Sequence, residues 1–98
     1  MIMRIYRGTV FAGKEHLWQD RVETLSIPWL KKQVGLVAFY PGKPMVESGS
    51  RTFCMCMVWE SVDSIKAAVG PNWNQSIYKG DEEELIESSS LEHFEVYP

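Results

Sequence analysis

The chain has 98 residues, of which 45% are hydrophobic and 23% charged, and its formal net charge at pH 7 is -3. This size and balance are typical of one folded domain with a modest core, and they exclude a chain that is disordered throughout. The only basic cluster is Lys31-Lys32, which disfavours a nucleic acid as partner.

The apolar segments of the chain are short. None approaches the roughly 18 residues that a membrane-spanning helix needs. The first residues carry Arg4 and Arg7 inside a strand-like pattern and lack the apolar segment of a signal peptide. We therefore predict a single cytoplasmic domain over residues 1–98 that has no membrane partner.

The first two predicted elements are a strand and a helix. Side chains alternate from Ile2 to Val10, which predicts a strand. From Lys14 the period becomes helical, and one face carries Trp18, Val22, Leu25 and Trp29, flanked by Leu17, Arg21 and Leu30. Pro28 should kink or split this helix because it lacks an amide hydrogen, and Gly35 is a plausible end.

Two further strands follow, joined by a long hairpin loop. Leu36–Tyr40 predicts a short strand, and the prolines and glycines of Pro41–Ser50 predict the loop. Arg51–Glu60 predicts a third strand that is apolar on both faces. One face holds Phe53, Met55, Met57 and Trp59, and the other holds Cys54, Cys56 and Val58. This pattern indicates a central strand covered on both sides.

The two cysteines, Cys54 and Cys56, are expected to be reduced and buried. On a strand they share a face about 6.6 Å apart, whereas a disulfide needs Cβ atoms about 3.8 Å apart. A zinc site needs about four ligands, and beyond the thiols the chain offers only His16 and His93. We therefore predict no metal site.

The last third of the chain predicts two helices and a strand. Ser61 can cap a helix that runs to Val69 and ends at Gly70-Pro71. Residues 72–79 fit either a helical turn or a loop. The acids of residues 81–84 suit the first turn of a short helix ending near Ser88, although a solvated charge run is the plainer interpretation. Leu91–Tyr97 alternates and predicts the fourth strand.

The element order is strand, helix, strand, strand, helix, strand, which is the ferredoxin-like α+β arrangement βαββαβ. Right-handed crossovers place the four antiparallel strands in the order 4-1-3-2 with both helices on one face. The other face has no element of the chain to cover it, although the third strand is apolar there. We therefore predict a homodimer that packs sheet against sheet.

Several short segments of the chain resemble one family. They are VWES at Val58–Ser61, AAVGPNW at Ala67–Trp73, the acidic segment before the last strand and HFEVY at His93–Tyr97. Together they are similar to the antibiotic biosynthesis monooxygenase domain of the dimeric α+β barrel superfamily, in particular to a branch with V-W-x-S, A-F-A-G and H-Y-E-V. The resemblance covers nearly the whole chain in element order.

This resemblance implies a homodimer with facing sheets and, in each protomer, a cavity between sheet and helices. It also implies one of several activities: some members oxidise aromatic polyketides with oxygen and no metal or flavin, and others degrade haem. The haem-degrading branch uses an asparagine, a tryptophan and a histidine. Trp59 matches the tryptophan, the asparagine position falls at about Tyr6, and no histidine occurs between Glu60 and Leu91.

Oxygenation without a cofactor needs an apolar pocket with aromatic walls and a few polar anchors. Aromatic side chains that could form walls are Tyr6, Trp18, Trp29, Tyr40, Trp59, Trp73, Tyr78 and Phe94. From the aromatic and polar candidates we predict a substrate pocket of Arg4, Tyr6, Trp59, Asn72, Trp73 and Tyr78. His93 is the candidate catalytic residue, as base or as anchor, because histidine titrates near neutral pH.

The leading functional hypothesis is a small oxygenase-like protein that acts on or binds an aromatic or polycyclic molecule, with no cofactor. It requires a cavity between helices and sheet that is lined by Trp59 and reached by His93. The alternatives are a ligand-binding or structural dimeric barrel without catalysis, and an isomerase or decarboxylase that only moves protons. A hydrolase has little support because the chain has no G-x-S-x-G elbow.

Overall fold

A computed structural model describes residues 1–76 and 82–98. Its strands are β1 Ile2–Val10, β2 Leu36–Gly42, β3 Thr52–Trp59 and β4 Ile86–Glu95. Its α-helices are α1 Glu15–Arg21, α2 Ile27–Lys31, α3 Val62–Val69 and α4 Glu82–Leu85, with a π-helical segment at Val22–Ser26 and a 3-10 turn at Val46–Ser48. Within these two ranges, no helix is long and apolar enough to cross a membrane.

The four strands form one antiparallel sheet in the order β2-β3-β1-β4. This order is the predicted 4-1-3-2 counted from the other edge, and the ferredoxin-like α+β fold is confirmed. The side chains of β3 alternate between buried and half-buried, and the buried set shares the core with Trp18, Val22, Leu30 and Ile65 of the helices. The helices therefore cover one face of the sheet.

The first long helix is continuous through Pro28 but changes its winding just before it. α1 leads directly into the π-helical segment, where the N–H of Ile27 donates to the carbonyl of Val22 five residues back. α2 then carries Pro28 in its first turn, where the missing amide hydrogen costs least. The helix is thus divided by a change of winding and not by a break in the chain.

The π-helical segment also changes which residues face the core, so one sequence prediction is wrong. The predicted stripe placed Leu25 and Trp29 in the core, but their side chains are 55% and 42% exposed. Leu30, predicted only to flank the stripe, is buried instead. A π turn holds one residue more than an α turn, so it rotates the positions beyond it around the helix axis.

The boundary between the last helix and the last strand lies earlier in the chain than predicted. α4 ends at Leu85, not near Ser88, and β4 begins at Ile86 and ends at Glu95. Residues 88–90 are serines, which are weak helix formers, and their backbone groups pair with β1. Pairing here gives partners to the N–H and C=O groups along this edge of β1, which one more helical turn would have left unpaired.

No element of the described residues covers the second face of the sheet, as predicted. Cys54, Cys56 and Val58 lie on this face of β3 and are only half-buried. Phe94 of β4 is opposite Met3 on the same face and is 44% exposed. Apolar side chains therefore remain in contact with solvent on the side away from the helices.

Candidate functional site

A cleft of about 790 Å³ lies between the sheet and the helices. Its floor includes Arg4 and Tyr6 of β1, and its walls include Trp59 at the end of β3 and Trp18 and Trp29 from the long helix. The volume lies within the range of about 300–1,000 Å³ that is typical of small-molecule sites. Leu25 and Trp29 border this cleft, which explains why they remain exposed outside the core.

Two tryptophans in the cleft wall have an unsatisfied hydrogen-bond donor. Trp59 is 0% exposed and Trp18 is 4% exposed. The indole Nε1 of each is buried and has no hydrogen-bond partner among residues 1–76 and 82–98. Most buried polar atoms in proteins have a partner, so two orphaned N–H groups at one cleft are unusual. An indole N–H can only donate, so each needs an acceptor atom.

Arg4 donates hydrogen bonds to two residues from distant parts of the chain. Its Nη1 donates to the backbone carbonyl of Trp73 and to Nε2 of His93, the latter over 2.8 Å. The rings of Trp73 and His93 meet edge to face with centroids 4.9 Å apart. A guanidinium cannot accept a hydrogen bond, so Nε2 of His93 must be unprotonated and accept.

The surroundings of His93 keep its imidazole neutral. Partial burial, and secondly the charge of Arg4, lower the pKa of His93 from its usual value. Burial also lowers the pKa of Arg4, although arginine stays charged at any physiological pH. The pair is therefore a cation held by a neutral acceptor, and the Nε2 lone pair of His93 is already in use.

Tyr6 owes its position to a glycine two residues along the same strand face. A Cβ atom at Gly8 would lie 3.2 Å from Cε1 and Oη of Tyr6 and 3.3 Å from Cδ1 of Ile86. The phenol ring can therefore lie along β1 over Gly8, beside Arg4 on the floor of the cleft. A side chain at position 8 would push the ring away from the strand.

An ion pair lies at the border of the cleft, and the sequence gives no signal for it. Nη2 of Arg21 is 3.0 Å from Oε1 of Glu82, and both residues line the cleft. The two are 61 positions apart, and the charges of Glu82 and its neighbours suggested only a helix start or a solvated run. Lys32 and Thr24 also line the cleft without having been predicted.

The predicted site residues fall into three groups. Arg4, Tyr6, Trp59 and Asn72 line the cleft. His93 and Trp73 are not among the described residues that line it, and both accept a hydrogen bond from Arg4, which does. Tyr78 lies outside the described residues.

Two aromatic residues that could have formed walls are on the wrong side of the sheet. Tyr40 pairs with Cys56 and Phe94 pairs with Met3, so both belong to the uncovered face. Tyr40 is 70% exposed there. Position along an alternating strand decides the face, and the sequence does not say which face of each strand meets the helices.

Solved structures share this fold over nearly the full chain. One is provisionally assigned as an antibiotic biosynthesis monooxygenase from Deinococcus radiodurans, at TM-score 0.73 and 16% identity, covering 100% of this chain and 94% of that one. Another, from Nitrosomonas europaea and with the same provisional assignment, has TM-score 0.73 and 10% identity over 98% of both chains.

A third is the heme-degrader MhuD from Mycobacterium tuberculosis with two hemes bound in its active site. Its TM-score is 0.66 at 19% identity, covering 98% of this chain and 95% of that one. No protein-family profile and no curated protein sequence matches the chain. The resemblance to the antibiotic biosynthesis monooxygenase fold is confirmed, and identities this low show the fold alone.

Proposed function

We propose that this protein is a small oxygenase-like protein that binds a flat aromatic molecule in the cleft and acts on it with molecular oxygen. The observation that carries the proposal is the cleft itself. It is walled by Trp18, Trp29 and Trp59 and has the polar groups of Arg4 and Tyr6 on its floor. Aromatic walls with a few polar anchors are what a flat ring system requires.

The reaction that fits this site is oxidation of an activated methylene to a carbonyl. A proton leaves the methylene carbon, and the resulting carbanion, delocalised into the rings, gives electrons to oxygen. The carbon bonds to one oxygen atom, which gives a peroxide. When the second C–H bond breaks, its electron pair forms the C=O bond and the O–O bond breaks, so one oxygen atom remains as the new carbonyl. The other leaves and takes up the two released protons to form water. The protein would contribute by holding the anion in place and excluding bulk water from it.

His93 is proposed as the anchor of Arg4 in this scheme. The sequence leaves two roles for it, proton acceptor and anchor. The 2.8 Å hydrogen bond from Arg4 to Nε2 uses the lone pair that a base needs, and the pKa of His93 is lowered. Both facts favour the anchoring role, in which His93 fixes the side chain of Arg4 beside the ligand.

A ligand-binding protein without catalysis is the second candidate. One observation favours it: the only histidine near the cleft in the described part of the chain has its Nε2 occupied. Such a protein would use the same aromatic walls and would retain a bound molecule without consuming oxygen.

The proposed function is tested by binding and by oxygen uptake with the same probe. Anthrone, whose central methylene is activated by two rings, should quench tryptophan fluorescence saturably under nitrogen and cause oxygen uptake in air. Trp29→Ala, at the cleft, should weaken binding about tenfold because it removes a stacking wall. Leu17→Ala, which is exposed on the same helix, is the control and should bind normally.

The outcomes separate the candidates. Saturable binding with no oxygen uptake would favour the binding protein, and equal binding by the Trp29→Ala and Leu17→Ala variants would remove the cleft as the site.

A homodimer that packs the uncovered sheet faces together, and a location in the cytoplasm, also belong to this proposal. The homodimer rests on the apolar second face of β3, and the location stays a prediction from the sequence.

A further inference from the structure

Among the residues that the structure describes, the lining of the cleft holds more cations than carboxylates, although the chain as a whole is acidic, with a net charge of -3. The cations in this part of the lining are Arg4, Arg21 and Lys32, and the carboxylate is Glu82. Glu82 is already paired with Arg21 over 3.0 Å. A surplus of cations concentrated in a concave site attracts anions even to an acidic protein.

Arg4 has no counter-ion in the described part of the chain. Its two recorded partners, the carbonyl of Trp73 and Nε2 of His93, are both neutral acceptors. No carboxylate lies within ion-pair distance of it among the described residues. A partly buried charge without a counter-ion is costly, and binding sites bear this cost when the ligand supplies the opposite charge.

The free donors of Arg4 form one side of its guanidinium. Both hydrogens of Nη1 are used by Trp73 and His93, while Nε and Nη2 have no recorded partner in the described residues. The Nε–H and Nη2–H bonds are parallel, and their spacing matches the two oxygens of a carboxylate. His93 and Trp73 therefore hold Arg4 by one nitrogen and leave the carboxylate-binding edge unoccupied.

The tryptophans of the wall add to the excess of donors. Nε1 of Trp18 and Nε1 of Trp59 both lack an acceptor in the part of the chain that the structure describes, and both are shielded from solvent. The protein side of the cleft thus offers several unmet donors, which suits a ligand rich in acceptor oxygens.

We propose that the ligand of the cleft is a flat aromatic carboxylate, bound through both of its oxygens to the Nε–Nη2 edge of Arg4. This inference rests on the proposed function for the cleft as the binding site, and it adds the charge and the functional group of the ligand. Trp73 and His93 act as positioning residues that orient the guanidinium.

The test compares one ring system in two charge states. Anthraquinone-2-carboxylate and anthraquinone-2-carboxamide have the same shape, and their affinities are measured by tryptophan quenching at low salt. The carboxylate should bind at least about tenfold more tightly, as expected for hydrogen bonds to a charged group. Arg4→Gln should abolish that preference and leave the binding of the carboxamide nearly unchanged.

Arg7→Gln is the matched control. Arg7 is on the same strand but on the opposite face, where it pairs with Glu92 over 2.9 Å. This variant should keep the full preference for the carboxylate. Arg4→Lys keeps the charge but loses the pair of parallel N–H donors, so it should retain only part of the preference for the carboxylate. This variant replaces Arg4→Gln in the test if Arg4→Gln does not fold.

Each result bears on the inference. Equal binding of the two probes by the wild-type protein would overturn it and leave the proposed function standing, since a flat aromatic would still bind. Absence of binding by both probes would overturn both. A preference that survives in Arg4→Gln and Arg4→Lys would remove Arg4 as the recognition group.

Discussion

At the scale of single residues, the site is organised around one partly buried cation and the neutral groups that accept its hydrogen bonds. Arg4 carries the charge, and His93 accepts a hydrogen bond from it over 2.8 Å. Because His93 is beside a cation and partly buried, its neutral form is the stable one in the folded protein. Protonation would convert its acceptor nitrogen into a donor facing Arg4, so the hydrogen bond that positions Arg4 depends on pH.

His93 should make the folded protein less stable in mild acid. Its pKa is lowered in the folded state, so below the ordinary histidine value of about 6.5 the unfolded chain binds the proton more readily. The contribution of His93 to the free energy of unfolding is thus complete above that pH. It is lost as the pH falls from there toward the lower pKa of the folded state.

Urea unfolding at pH 7.5 and pH 5.5 tests this dependence. The wild-type protein and His16→Gln should both lose stability at the lower pH, and His93→Gln should lose less, because it has no group to protonate beside Arg4. Identical losses in all three proteins would show that His93 is not held neutral. His16 is exposed on α1, which makes it the matched control.

At the scale of elements, the contact between α3 and the start of β2 fixes one end of the core. Oγ of Ser61 caps α3 by accepting from the N–H of Ser64 over 3.2 Å. Gly35 lies against the same turn with φ +90°, and a Cβ atom there would be 2.5 Å from Oγ of Ser64. Its carbonyl accepts from the N–H of Glu60 over 2.8 Å, which ties β3 to β2.

Gly35→Ala should therefore destabilise the protein by about 2 kcal/mol or more, through left-handed backbone strain and a steric conflict together. Gly13→Ala separates the two causes, because Gly13 has a similar φ of +85° and nothing within 4 Å of its absent Cβ. It should cost only about 1 kcal/mol. Thermal or urea unfolding measures the loss of stability in each variant. Equal losses would show that α3 moves to accept the added Cβ atom at no cost in free energy.

At the scale of the whole molecule, the two faces of the sheet differ in what covers them. One face is covered by helices and holds both core and cleft, and the other exposes apolar side chains on all four strands. Ile5 and Cys56 are paired on the two central strands of that second face, and both are only half-buried. A second copy of the chain is the proposed cover, because a symmetric pair buries the same face twice.

Sedimentation equilibrium tests the pairing of two copies. The wild-type protein should be a dimer at micromolar concentration, and Ile5→Lys should shift it to monomer because it places a charge in the centre of the interface. Val34→Lys is the control, since Val34 is 90% exposed in the turn between α2 and β2. A wild-type protein that is only monomeric at this concentration would contradict the sheet-to-sheet dimer.

The prediction of the candidate site from sequence was partial. Arg4, Tyr6, Trp59 and Asn72 all line the cleft, since strand alternation places the first three on one face and Asn72 follows α3. The support of Arg4 by Trp73 and His93, and the pair between Arg21 and Glu82, join distant segments. No local pattern encodes such contacts, because they depend on how elements meet in space.

The sequence by itself determined the order of elements, the order of the strands and the two-sided character of β3, because hydrophobic period and crossover handedness act locally or follow general rules. Only the tertiary structure decided that the π-helical segment before Pro28 turns Leu25 and Trp29 out of the core to border a cleft. It also decided that β4 begins at Ile86. The first depends on how the winding of the helix turns its residues relative to the sheet, and the second on the pairing of residues 86–95 with β1, and neither is encoded in a local pattern.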